Sequence, residues 1–417
     1  MQKTSKRKRL LIVILSLILV GCVAENLDDL STPITLSTFP GTTPENRITA
    51  NIETKVSTNT LAATKTPKAT EVFGTQTPNP FFTPTPTAFQ KLNKSMNPLT
   101  GQIVESFEEL YRRPVMVKIS NFPREIRPQS GLSKADIVFE HYIGQGMNRF
   151  TAIFYGDNAE WAGPIRSARL IDAQLAQMYQ GILVYGGADE RVNAIITAPD
   201  ILGSRAIDTR TNDACPPICG EDTHSAEGVF VDTAALTDYA VKIQVDENIK
   251  TESLHTMDFS NDLEIVGKEA NQITIDISEV CKSRWIYDSL EEKYFRWEET
   301  GDFENDFVTT NDALVDGEQL AYDNIVVLFS DYVVYDMLLH DVELVYGEFA
   351  SPALMFRDGD LFEGTWTAKG EDAPLQVLYQ DSTYFYKPGK TWFIFVTKNS
   401  EFKMEGVGEY YLTFQRP

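Results

Sequence analysis

The chain has 417 residues and a formal charge of −23, with 37 Lys and Arg against 60 Asp and Glu. Such acidity argues against nucleic-acid binding, which needs a basic footprint, and against adhesion to anionic lipid by general attraction. It fits a soluble, surface-exposed domain, and it makes any local basic cluster conspicuous.

The N-terminus reads as an export signal. Lys3, Lys6, Arg7, Lys8 and Arg9 precede an apolar run over 10–20, followed by Gly21 and Cys22. A basic stretch followed by a short apolar run is a secretory signal, and this run falls short of the about 20 residues that a membrane span needs. "LVGC" at 19–22 looks like a bacterial lipobox, which makes residues 1–22 a lipoprotein signal and Cys22 the lipidated residue. The expected location is extracytoplasmic, tethered to the cytoplasmic membrane only through acyl chains. Residues 23–95 are rich in Thr and Pro, as in "TPNPFFTPTPTAFQ". They bury too little apolar surface to offset ordering entropy and are read as a disordered linker.

Residues 96–243 are predicted to form an N-terminal α/β domain, a mixed sheet covered by helices. Strands are expected over 113–121, 136–143 and 149–156. A helix is expected from Pro164 to about 180, because proline tolerates the first helical turn. A short strand over 181–187 ends in Gly186 and Gly187, and helices are expected over 189–198 and 233–242. Residues 244–417 are predicted to form a mostly antiparallel β domain, from β-branched and aromatic runs broken by "RDGD" and "KPGK" turns. The predicted fold class is therefore α+β. Trp285, Trp297, Trp366 and Trp392 lie in strand-like runs and are read as sheet core or cross-strand pairs rather than sugar platforms.

Several stretches resemble one family. "NPLTG" (97–101), "RPQSGLSKADIVFE" (127–140), "NRFTAIF" (148–154) and "GPIRSAR" (163–169) resemble the N-terminal part of the YerB-like lipoproteins, a bacterial family of unknown function. "YDNIVVLF" (322–329), "GTWTAK" (364–369) and "PGKTWFIF" (388–395) resemble its C-terminal part. The resemblance implies a lipid-anchored envelope protein with no established reaction. The family usually carries Pro-His-Asn near His224, where this sequence has Thr223-His224-Ser225.

"GPIRSAR" poses an electrostatic question. Read as a helix start, it puts Arg166 and Arg169 on one face beside the positive end of the helix dipole, where cations are disfavoured by roughly 0.3–1 kcal/mol each. Two readings resolve it. Internal acids, Glu140 or Asp136, neutralise the arginines. Alternatively the arginines face an anionic ligand, with Arg127 held on a rigid loop and Gly186 and Gly187 letting the ligand approach the backbone. The ligand-binding candidates are thus Arg127, Arg166, Arg169, Gly186 and Gly187.

Catalytic candidates are weaker. Ser167, His224 and an acid such as Glu140 or Asp208 can be written as a triad, but Ser167 is not in a G-x-S-x-G elbow. No Walker loop, H-E-x-x-H or dinucleotide fingerprint is present. Cys215 and Cys219 are four apart, with His224 five further on. A metal site or a local disulfide fits that spacing. Export favours the disulfide, and the set lacks a second ligand pair. No metal and no cofactor are expected. The expected function is a binding or scaffolding module of the cell envelope, with an arginine-lined anion pocket facing a cell-wall component or an envelope protein. The alternative is an envelope hydrolase or transferase acting on an anionic wall substrate.

Overall fold

The computed structural model describes residues 96–104, 107–212, 214–220, 228–245, 248–301, 306–315, 317–336, 338–347 and 349–417. Cys22, the linker and His224 lie outside the described residues. In chain order, β1 (Val115–Ser120), β2 (Ile137–Gly144) and β3 (Met147–Phe154) come first. Then follow α1 (Leu170–Met178), β4 (Ile182–Tyr185), α2 (Glu190–Ile196) and β5 (Ala206–Asp208). A small hairpin of β6 (Ile218–Gly220) and β7 (Val229–Val231) leads to α3 (Thr233–Lys242).

One mixed sheet carries strands from both sequence halves. Its path runs from a strand at Ser382–Thr383 through Thr391–Thr397, then β2, β3, β1 and β4, to β5. β2 pairs in parallel with Thr391–Thr397, from Ile137 opposite Thr391 to His141 opposite Phe395. Most other pairings of the C-terminal half are antiparallel, as in Cys281–Asp288 with Lys293–Glu299. The β-rich reading of residues 244–417 therefore stands.

Period-two alternation sorts the side chains into two cores. Val117, Val138, Phe150, Val184, Ile325 and Trp392 face one side of the sheet. Met116, Phe139, Ile153, Leu183, Val326 and Phe393 face the other, against Ile171 and Leu175 of α1. All six residues of β1 and all eight of β2 are buried, so both faces are covered. Helices supply only part of that cover, contrary to the expectation of a helix-covered sheet. α1 and α2 have 9 and 7 residues, and α3 has 10. Opposite α1, a second, seven-stranded sheet packs Ile273, Ile275, Trp285 and Tyr294 onto the first. No helix among the described residues is long and apolar enough to cross a membrane.

Trp392 is the centre of that inter-sheet core. It is fully buried, stands edge-on to Tyr322 and Phe150, and lies 5.2 Å from the Trp285 ring. Its indole N–H donates to the buried carboxylate of Glu140 at 2.9 Å. The Trp285 indole N–H has no partner among the described residues. Trp392→Phe should therefore destabilise the fold by about 1–3 kcal/mol more than Trp285→Phe, because it strips a bond from the buried Glu140 carboxyl. Urea unfolding of the two variants checks this, and equal losses would refute it.

Candidate functional site

"GPIRSAR" is not a helix start. Its backbone is extended and hydrogen-bonded on all sides. Gly163 and Ser130 exchange N–H and carbonyl bonds, and Ile165 N–H donates to Val229. Arg166 N–H donates to Lys118, and the Pro164 carbonyl accepts from Ser120. Gly186 N–H donates to the Arg166 carbonyl, and Ala168 N–H donates to Gly187. A segment whose backbone is committed to four neighbours cannot form i→i−4 bonds, so α1 waits until Leu170. The segment crosses the C-terminal ends of β1 and β4, where ligands tend to bind α/β sheets.

The acids at the start of α1 are Asp172 and Asp341, not Glu140 or Asp136. Asp172 reaches back to the Arg169 N–H at 2.6 Å. Asp341 comes from the strand His340–Glu343 of the C-terminal half and accepts from Leu170 and Ile171 N–H. Together they satisfy orphan donors of the first turn and complement the helix dipole. Asp172 also binds Lys118 Nζ at 2.9 Å and the Thr151 hydroxyl at 2.5 Å. Lys118 donates to Thr151 as well and contacts His141 Nε2. Lys118, His141, Thr151 and Asp172 are all fully buried. Burial opposes ionisation of Asp172, yet Lys118 and the His141 and Thr151 contacts hold its carboxyl well below the usual range. Burial, with Lys118 beside it, pushes His141 down to about 4, so its ring is neutral at pH 7. Lys118 is lowered to about 8 by burial, against the pull of Asp172.

Arg149, Arg166 and Arg169 gather beside this buried group. Arg149 lies on β3, opposite Ser120 of β1 and His141 of β2, and its Nη1 donates to the Ser167 carbonyl at 2.6 Å. Arg166 Nε donates to the Ser120 hydroxyl at 3.1 Å. Arg169 Nη1 donates to the Ala168 carbonyl, and its buried Nε has no partner among the described residues. Burial, then the charges of Arg169 and Arg166, bring Arg149 down to about 9. Among the described residues, neither Arg149 nor Arg169 ion-pairs with a carboxylate. The guanidiniums bind carbonyls instead, and the charges of Asp341 and Asp172 act on Arg169 without a direct ion pair.

The remaining predicted residues fall elsewhere. Gly186 and Gly187 dock the arginine segment rather than line open space. Gly187 has φ +78°, donates to Asp208, and a Cβ there would strike the Arg210 guanidinium. Arg127 stands apart from Arg166 and Arg169. Its guanidinium binds Glu299 at 2.8 Å and Glu298 at 3.5 Å, beside a cavity of about 340 Å³ shared with Arg124, Thr309 and Asn311. Glu140 projects to the opposite face of the sheet from His141, where Asn148 and Trp392 donate to it. Asp136 accepts from Asn97, Tyr155 N–H and Gly156 N–H. The internal clamp through Glu140 or Asp136 is thereby overturned, because alternation sends Glu140 away and loop donors occupy Asp136. Ser167 and Glu140 lie on opposite sides of the sheet and form no common catalytic set. Cys215 and Cys219 are bridged, and Cys281 is buried and free. No group of three or more His, Cys, Asp or Glu among the described residues is arranged for a metal.

Asp341 carries a pH signature. Burial raises its carboxyl to about 7, against the two N–H donors of α1. The unfolded chain releases that proton near about pH 4, so the folded state binds it more tightly. The stability this group contributes is therefore full at low pH and lost as pH rises through about 7. The stability of the wild type minus that of Asp341→Asn should fall between about pH 4.5 and pH 8. A pH-independent difference in urea unfolding would contradict this assignment.

Residues 99–243 match the family described as "Protein of unknown function (DUF3048) N-terminal domain". Residues 273–393 match its "C-terminal domain". A protein of Bacillus subtilis (strain 168) named "Putative lipoprotein YerB" is 28% identical over 304 residues, covering 71% of this chain and 84% of its own length. The crystal structure of YerB from Bacillus subtilis is similar in fold, with a TM-score of 0.61 at 24% identity over 72% of this chain and 96% of that chain. With both halves matched in order along more than half its length, the chain belongs to the YerB-like (DUF3048) family of proteins of unknown function.

Proposed function

We propose that this chain is a lipid-anchored binding or scaffolding protein of the cell envelope, and that Arg149, Arg166 and Arg169 hold an anionic group of a cell-wall component or an envelope partner. The observation that carries this reading is that Arg149 and Arg169, close enough for their charges to act on one another, donate to carbonyls and make no ion pair with a carboxylate among the described residues. Buried cations normally have paired anions, so two guanidiniums held by carbonyls beside the C-terminal end of β1 are suited to an anion from outside. Arg166, Ser167 and Gly186 are part-exposed, which leaves a way in. In a chain of net charge −23, the acidic remainder of the surface repels anions, so a local group of arginines is where one is received.

The anchor is part of the same proposal. The signal over 1–22 directs export, Cys22 takes the lipid, and the Thr/Pro-rich linker lifts the folded part off the membrane. Cys22→Ala is expected to move the chain from the membrane fraction to the soluble fraction on cell fractionation. Unchanged membrane retention would remove the anchor.

Co-sedimentation of the full chain with cell-wall fragments tests the arginines. Arg149→Ala and Arg169→Ala should each weaken binding by about tenfold or more, as expected when a charged hydrogen-bonding partner is lost. Equal binding by wild type and both variants, with unfolding midpoints unchanged, would take these arginines out of ligand contact.

A further inference from the structure

The edge of the second sheet carries a binding surface of its own, apart from the arginine cluster. We propose that an extended peptide segment of a partner protein adds as a strand along Phe307–Thr309, and that a long, neutral, amide-bearing side chain of that segment enters the adjoining cavity and donates to Glu298. Three features support this, and none of them depends on the anion reading above.

The first is the strand edge. Phe307–Thr309 ends the path of the seven-stranded sheet and pairs antiparallel with Lys293–Glu299. Thr310 N–H donates to the Arg296 carbonyl, and Thr300 N–H donates to that of Asp306. Hydrogen-bonded pairs alternate with open ones in an antiparallel ladder, so Val308, opposite Glu298, is bonded inward. The N–H and carbonyl groups of Phe307 and Thr309 then point away from the sheet, as an edge that accepts an added strand. The opposite edge, Glu401–Gly406, is blunted by Glu401, Lys403 and Glu405 and by a register shift between Met404 and Gly406. Phe307–Thr309 has no charged residue and no register shift.

The second is the cavity of about 340 Å³ beside this edge. Val308, Thr309 and Asn311 line it together with Arg127, Glu298 and Glu299. Glu298 is only 5% exposed. Its Oε2 meets Arg296 Nη1 at 3.3 Å and Arg127 Nε at 3.5 Å, whereas its Oε1 accepts from none of the described residues. A carboxylate oxygen this deep in the fold calls for a donor. The side-chain amide of Asn311 likewise bonds to none of the described residues.

The third is reach and charge. Directly opposed residues share a face of a sheet, so a residue added opposite Val308 sends its side chain to the face of Val308 and Glu298. Two strand spacings, about 10 Å, separate that residue from Glu298, so the side chain must be long. Glu298 already holds two guanidiniums, and a third cation adds repulsion. An acid meets Glu298 and Glu299 and gains no donor from Arg127, whose Nε, Nη1 and Nη2 bind Asn121, Glu299 and Val280. A glutamine-like amide gives an N–H to Glu298 Oε1 and a carbonyl to Asn311.

Fluorescence polarisation of labelled pentapeptides with the full-length chain, purified in detergent, tests the inference. The probes are Ser-Thr-Gln-Thr-Ser and the same peptide with Leu or Lys at its centre. The Gln peptide should bind at least about tenfold more tightly than either of the others. Thr309→Pro, which removes an outward N–H and no bond to the neighbouring strand, should weaken the Gln peptide by about fivefold or more, with the unfolding midpoint unchanged. Glu298→Gln should weaken it as well, and Thr309→Pro covers the case in which Glu298→Gln unfolds. Hydrogen exchange should slow at Phe307 and Thr309 when the Gln peptide binds and stay as it is at Glu401–Gly406. If the Leu or Lys peptide binds as tightly as the Gln peptide, with exchange at Phe307 and Thr309 slowed, the side-chain assignment falls and strand addition stands. If the Gln peptide does not bind, or binds without slowing exchange at Phe307 and Thr309, the inference is overturned.

Discussion

The interaction on which the arrangement depends is the bond between the Asp341 carboxylate and the first turn of α1. It joins residues 171 positions apart. It also places an acid at the positive end of the helix, so that the arginines just before it need not serve there. With α1 fixed, Asp172 projects into the sheet and meets Lys118, Thr151 and His141. Those contacts consume the local acids. Arg149 and Arg169 lie beside a polar centre whose carboxylates already have partners.

The two faces of the shared sheet handle buried charge differently. On the inter-sheet face, Glu140 is met by Trp392 and Asn148, with Arg296 nearby under the Phe150, Trp285 and Trp392 rings. Arg296 is matched in turn by Glu298 and Thr310. That network is internal, and it pins the second sheet against the first. On the α1 face, Arg149 and Arg169 donate to carbonyls and make no ion pair with a carboxylate among the described residues.

Much of the fold was legible in the sequence because it rests on local period. The helix over 233–242 and the strands β1 to β4 fall where alternation and helical spacing put them. The start of α1 was not legible. Glycine followed by proline is a local signal, whereas the partners that keep residues 163–168 extended lie at Lys118, Ser130, Gly187 and Val229. Arg166 and Arg169 stand out as an electrostatic conflict, whereas Arg149 is one polar position of a strand and carries no such signal. Lys118 and His141 passed unnoticed as polar positions of ordinary strands. One signal marks them: "VMVKIS" and "IVFEHYIG" carry apolar residues in both phases, so a polar residue in either phase is buried too. Asp341 left no such trace, because its partner is a helix end far along the chain.

The central claim is that Arg149, Arg166 and Arg169 receive an anion from outside the chain. The most direct measurement is nuclear magnetic resonance of isotope-labelled arginine side chains in the full chain, with and without phenyl phosphate. The account predicts that the Nε–H signals of Arg149, Arg166 and Arg169 move together on titration, while those of Arg124 and Arg127, bound to Glu298 and Glu299, stay in place. Signals of the first three that do not move at saturating phenyl phosphate would contradict it.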